Sequence, residues 1–114
     1  MHEELQVFFD RSEAMPVVRV VGEIDLATAP QLSARLSEIP AEARTVIIDM
    51  SEVTFLDSTG LSVLVATWKR FSEADERGSF RLVVNRPAVQ RVLDVTGLAK
   101  VFGVFATLEQ AKAG

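Results

Sequence analysis

The residues of this chain best placed to do chemistry are the hydroxyls and carboxylate of Asp57-Ser58-Thr59-Gly60. They lie between a β-branched run and a segment of helical period, so Asp57 reads as a helix N-cap with Ser58 and Thr59 in the first turn. The first backbone N–H groups of a helix have no internal partners, and the helix dipole leaves partial positive charge there. A serine at that place is a candidate acceptor for a phosphate. The modification would add about −1.5 to −2 charge and three acceptor oxygens. Gly60 is expected to let a partner's backbone approach Ser58 without a Cβ in the way. The same four residues also read as an ordinary capped helix start, because Asp, Ser and Thr are the commonest capping residues and need no function to be there.

Other chemistries lack their residues. The single histidine, His2, is next to the N-terminus, so a Ser-His-Asp triad on Ser58 has no base. With no cysteine there is no disulfide, thiolate metal site or thiol redox chemistry. Asp25, Asp49 and Asp57 could gather near one sheet edge, where Mg²⁺ is the only metal they would suit. Neither G-x-x-x-x-G-K-[ST] nor G-x-G-x-x-G occurs, so a backbone cradle for a nucleotide is missing. No catalytic residue, metal or cofactor is expected.

Composition narrows the class further. The 114 residues, 48% hydrophobic, suit a single domain over 1–114, monomeric or weakly dimeric. A net charge of −4 without any run of Lys or Arg argues against nucleic acid as a partner. The acidic start Met1-His2-Glu3-Glu4, and the absence of any apolar run near the ~18 residues that span a bilayer, argue against a signal peptide and a membrane site. A cytoplasmic location is expected.

The elements that must position Ser58 follow from hydrophobic period. Residues 5–9 and 17–23 read as two strands of an antiparallel hairpin with a turn over 11–15. Thr28 and Pro30 begin a helix with Leu32, Leu36 and Ile39 inward, closed by Pro40. Residues 45–49 form a buried strand and 50–56 a loop. The helix after Asp57 runs to about Asp75 with Leu61, Leu64, Val65, Trp68 and Phe71 inward. After a break at Arg77-Gly78-Ser79 come a strand over 80–84, a helix from Pro87 to Gly97 with Val89, Val92 and Leu93 inward, a strand over 101–105, and a last helix capped by Thr107 with Leu108 and Ala111 inward. The order is ββαβαβαβα. It implies an α/β domain with a mixed, mostly parallel sheet of about five strands and helices mainly on one face.

Around Ser58 several residues carry two readings. Thr59 is a second hydroxyl, better read as a first-turn helix residue than as an acceptor. Ser62 lies one turn on and shares an exposed strip with Val63 and Ala66, a candidate partner footprint. Asp25 reads equally as a partner contact and as a loop residue bonding its own backbone. Trp68 reads as core. Lys69, Arg70, Glu73, Asp75 and Glu76 read as a solvated helix end, and Arg86 and Arg91 as exposed.

Three stretches together resemble the STAS domain in its small bacterial form, the anti-sigma factor antagonist. They are Gly22-Glu23-Ile24-Asp25-Leu26-Ala27-Thr28-Ala29-Pro30, the run from Val46 to Leu61 that ends in Asp57-Ser58-Thr59-Gly60-Leu61, and the run from Val89 to Phe102 that holds Leu93-Asp94-Val95-Thr96-Gly97-Leu98. The resemblance implies a non-enzymatic partner-switching protein. Its unphosphorylated form would bind an anti-sigma factor and so free a sigma factor. The anti-sigma factor would also be a serine kinase acting on Ser58, and a metal-dependent serine phosphatase would reverse it. Asp25, Asp57, Ser58, Thr59, Gly60, Ser62 and Val63 would then form the partner-binding edge. Two other readings stay open: a STAS scaffold that is never phosphorylated, and a phosphotransfer receiver with Asp49 as acceptor. The receiver reading lacks an acidic pair after the first strand and a lysine after the last.

Overall fold

The sheet is built from runs of β-branched and aromatic residues. In the computed structural model, which describes residues 5–11, 15–40, 42–74 and 79–114, five strands lie in the order β1-β2-β3-β4-β5. They are β1 (Gln6–Asp10), β2 (Val17–Ile24), β3 (Thr45–Leu56), β4 (Ser79–Val83) and β5 (Gly103–Phe105). The hairpin pair β1 and β2 is antiparallel, and every later pairing is parallel. Helices α1 (Ala29–Leu36), α2 (Ser58–Ala74), α3 (Pro87–Thr96) and α4 (Leu108–Ala113) connect or follow the strands. This is the mixed five-strand α/β architecture that the hydrophobic pattern implies. The expected turn residues 12–14, the break at Arg77-Gly78, the charged Asp75 and Glu76, and His2 fall outside the described residues.

Alternation along the strands sorts the core into two layers. Val46 and Ile48 point to one face, where they join Val18, Val20, Leu32, Leu64, Leu82 and Leu93 beneath α1, α2 and α3. Ile47 points to the other face, where Val17, Val83 and Ala111 form a smaller cluster under α4. Strand residues covered on both sides lose the polar half of the alternation, so 46–48 are all buried. Among the described residues, no helix is long and apolar enough to cross a membrane.

Two strands depart from the sequence expectation, and α1 ends at Leu36, short of the expected close at Pro40. Residues 50–56 are not a loop: β3 continues through them to Leu56. The pairing with β2 slips between Arg19 and Val21 and again between Gly22 and Glu23, and Gly22 takes a φ of 118°. Such bulges break strict alternation, so a period of two stops being visible while the strand goes on. The last strand is shorter than 101–105. Gly97, at φ 79°, ends α3 in the left-handed region, and a 3-10 turn over Leu98–Lys100 follows. Phe102 is then turned inward, its ring edge-on to Phe80 at 5.1 Å, and β5 begins only at Gly103.

Arg70 is not part of a solvated helix end. Its guanidinium donates to the carbonyl oxygens of Leu36 at 3.4 Å and Ile39 at 3.0 Å, at the C-terminal end of α1. A cation at that end meets both the unpaired carbonyls and the negative end of the dipole. Replacing Arg70 by Met keeps the aliphatic stem and removes these bonds. Urea denaturation should show a loss of about 1 kcal/mol, and an unchanged midpoint would mean that the guanidinium does not support α1.

Candidate functional site

The site begins where two parallel strands end together. Ile24 of β2 is in register with Leu56 of β3, so the segments that leave them start side by side. The Asp57 N–H donates to the Ile24 carbonyl at 3.2 Å, and the Asp57 carbonyl accepts from the Leu61 N–H at 3.0 Å as the first bond of α2. Its carboxylate folds over the helix start. One oxygen accepts from the N–H of Thr59 at 3.0 Å, from the N–H of Gly60 at 3.1 Å and from the Thr59 hydroxyl. This is the N-cap expected of Asp57. The Thr59 hydroxyl, with the N–H groups of Gly60, Thr59 and Leu26, holds the carboxyl below the usual aspartate range against the opposing effect of desolvation. Asp57 is therefore ionised at neutral pH.

Leu26 belongs to the loop after β2, and that loop has its own cap. The Asp25 carboxylate accepts from the N–H groups of Ala27 at 2.9 Å and Thr28 at 3.0 Å. The Thr28 hydroxyl accepts from the Asp25 N–H at 2.9 Å and donates to the Glu23 carbonyl at 2.8 Å. Thr28 thus closes the loop and makes no side-chain bond to the start of α1, contrary to its reading as a cap. Asp25 bonds its own backbone, the plainer of its two readings. Through the Leu26 N–H, the two acidic loops meet at Asp57.

Gly60 has a different reason from the one expected. It is buried, and a Cβ added there would lie 2.5 Å from Ile24 Cγ2 and 2.6 Å from Leu56 Cδ1. The missing side chain faces the core and lets the helix start sit on the two strand ends; it does not open a path for a partner. Ser58 faces out instead. It is exposed at the first helical position, and its carbonyl accepts from the Ser62 hydroxyl at 3.0 Å. Thr59 is half-buried with its hydroxyl engaged by Asp57, which leaves Ser58 as the free-standing hydroxyl of the pair.

The exposed stripe on α2 runs through Ser58, Ser62, Ala66 and Lys69. An open cleft of about 350 Å³ lies along it, bounded by Leu61, Ser62, Val65, Ala66 and Lys69. Val63 does not belong to that stripe. It is half-buried against the core and lines the seam with α1 beside Ser33, Ser37, Thr67 and Arg70. Position 63 is one residue round the helix from Ser62, and α1 packs there. Leu26 and Phe55, 76% and 48% exposed, lie on the two segments that converge at Asp57. Sequence reasoning missed both, although an apolar residue beside a polar helix cap was a usable signal.

Asp49, the acceptor in a receiver reading, is tied to its own strand: its carboxylate accepts from the N–H of Ser51 at 3.0 Å and the Ser51 hydroxyl at 2.7 Å. Among the described residues, no group of acidic side chains or histidines is close enough to hold a metal ion, so Asp25, Asp49 and Asp57 do not gather. Arg86 is exposed, and its Nε donates to the Ser51 carbonyl at 3.1 Å.

The sequence model of the STAS domain matches residues 9–111. The chain belongs to the STAS domain family. Among its relatives, the anti-sigma-F factor antagonist RsfB of Mycobacterium tuberculosis is 36% identical over 99 residues, 86% of this chain and 79% of the relative. The anti-sigma-B factor antagonist of Bacillus subtilis is 33% identical over 92 residues, 81% of this chain and 83% of the relative. A crystal structure of an anti-sigma factor antagonist from Mycobacterium paratuberculosis superposes with a TM-score of 0.90 at 32% identity, over 99% of this chain and 97% of that one. The STAS fold explains why the capped loop and the helix start share one edge: both leave the ends of adjacent parallel strands.

Two measurements check this geometry. Ala in place of Gly60 gains up to about 1 kcal/mol of helix propensity but drives a methyl into Ile24 and Leu56, a clash of about 1–3 kcal/mol. The melting temperature should fall by roughly 5 °C, and a rise would show that the helix start is free to move. The Asp57 carboxyl is harder to protonate in the folded state than in the unfolded one. Its stabilisation is therefore complete above about pH 4 and is lost as pH falls through the folded value. The stability difference between the native protein and Asp57→Asn should shrink over that acid window and stay flat from pH 5 to 8.

Proposed function

We propose that this STAS domain is an anti-sigma factor antagonist. It binds an anti-sigma factor while Ser58 is unmodified, thereby frees a sigma factor, and is switched off by phosphorylation of Ser58. The kinase is the anti-sigma factor itself, and a serine phosphatase restores the binding form. The binding edge comprises the Asp25 loop, Asp57, Ser58, Thr59 and the stripe that continues through Ser62, with Gly60 and Val63 supporting it from beneath.

The observation that carries this reading is the position of the Ser58 hydroxyl. It projects from the first position of a helix whose neighbouring side chains, Asp57 and Thr59, are locked together. A kinase cleft reaches it without disturbing the core, since Ser58 is exposed while Gly60, two residues on, packs inward on the strand ends. The names of the relatives agree with the role, and the length of chain they share includes the whole site.

Physical magnitudes favour a switch in binding over a switch in folding. A dianion at an exposed helix start changes stability by roughly 0.3–2 kcal/mol, within the margin of a domain of this size. The same dianion closed into a desolvated interface without a cation loses its hydration, which costs several kcal/mol. Each ~1.4 kcal/mol lowers affinity tenfold. Isothermal titration calorimetry against the cognate anti-sigma factor should therefore find Ser58→Ala close to native affinity and Ser58→Asp weakened by about tenfold or more, with both circular dichroism spectra native. Equal affinities for the two variants would defeat the proposal.

A further inference from the structure

We infer that Asp57 is a positioning residue that denies the start of α2 to a phosphate on Ser58, so that the added charge is turned outward and left uncompensated. The inference rests on Ser58 being the acceptor. A phosphate at a helix N-terminus is ordinarily satisfied by the first free amides. Here the amides of Thr59 and Gly60 are already taken by the Asp57 carboxylate at 3.0 and 3.1 Å, and the Thr59 hydroxyl is turned to the same oxygen. Of the first three amides of the helix, only that of Ser58 itself is left. The seat that an anion would occupy is filled by an anion.

The charged groups on the surrounding elements do not reverse this. Glu23 on β2, Asp25 on the following loop and Glu52 on β3 are acidic. Glu52 is paired with Arg19 at 2.6 Å. The cations of α2, Lys69 and Arg70, stand about three turns along the helix, and Arg70 is held by the end of α1. A phosphate here meets the Asp57 carboxylate first. The capping residue thus sets the exposure of the signal: with it, phosphorylation presents bare charge to a partner; without it, the phosphate would fold back and cap the helix.

The test uses the full chain carrying phosphoserine at position 58, made as the native form, as Asp57→Ala and as Asp57→Asn, with the second ionisation followed by ³¹P NMR. That ionisation lies near pH 6 in a free phosphoserine. In the native form it should lie above the value in Asp57→Ala by about half a unit, because removing the carboxylate both ends a repulsion and frees two amides. Asp57→Asn, which keeps the capping oxygen and loses only the charge, should shift in the same direction by less. Phosphorylation should also raise the melting temperature of Asp57→Ala and not that of the native chain. Identical ionisation in native and both variants, or a native phosphoserine that ionises more readily than a free one, overturns the inference. If Asp57→Ala does not fold, the comparison of Asp57→Asn with the native form decides it. No partner takes part, so failure here leaves the Ser58 switch standing, and equal affinities of Ser58→Ala and Ser58→Asp would leave the positioning role standing.

Discussion

Two segments distant in sequence, the loop after β2 and the start of α2, are held at one point by Asp57, and the rest of the proposed binding edge depends on that arrangement. The carboxylate satisfies two amides of α2, takes the Thr59 hydroxyl and faces the Leu26 N–H, while its own backbone N–H is bound to Ile24. A charged cap of this kind is stronger than a neutral one, since hydrogen bonds to an ionised acceptor are about twice as strong. It fixes where α2 starts to within one residue. An exposed hydroxyl at the next position is then aimed by a rigid frame, although its own side chain takes no part in holding it.

The frame works only because the helix can lie close on the sheet. Ile24 and Leu56 are both buried strand ends, and Gly60 rests against them with no room for a methyl. The bulges between β2 and β3, with Gly22 in a conformation that disfavours other residues, bring Ile24 and Leu56 into register after two slips. Removing one slip would turn one strand end by one residue and exchange its inward and outward side chains. The backbone irregularities upstream therefore decide which residue of β3 supports the helix start, and so which face of α2 carries Ser58.

What could be read in the sequence, and what could not, follows from range. The hairpin, the inward faces of α2 and α3, the stop at Gly97 and the cap at Asp57 are set by residues within a few positions of one another, and their patterns are visible in the chain. The extension of β3 was hidden because bulges erase alternation. The reason for Gly60 was hidden because its neighbour Ile24 comes from another strand, and the same holds for Arg70 and the carbonyls of α1. Val63 and Ser62 differ by one helical position, and only the placement of α1 decides which of them is covered. The resemblance to the STAS domain pointed to Ser58 as the candidate site; which side chains face outward there is tertiary information.

A switch located on this frame has to separate two free energies that are usually coupled. If the phosphate were bound by the helix amides, phosphorylation would stabilise the domain and partly neutralise the charge a partner meets, which blunts the signal. If the acceptor were Thr59, the phosphate would replace a hydroxyl that donates to Asp57, and two anions would compete for one helix start, so the signal would be read as loss of structure. With Ser58 as the proposed acceptor, both outcomes are avoided. Its neighbours satisfy each other, so modification leaves their bonds in place. The cost of the added charge would then fall where water is excluded, at the surface proposed to meet the partner.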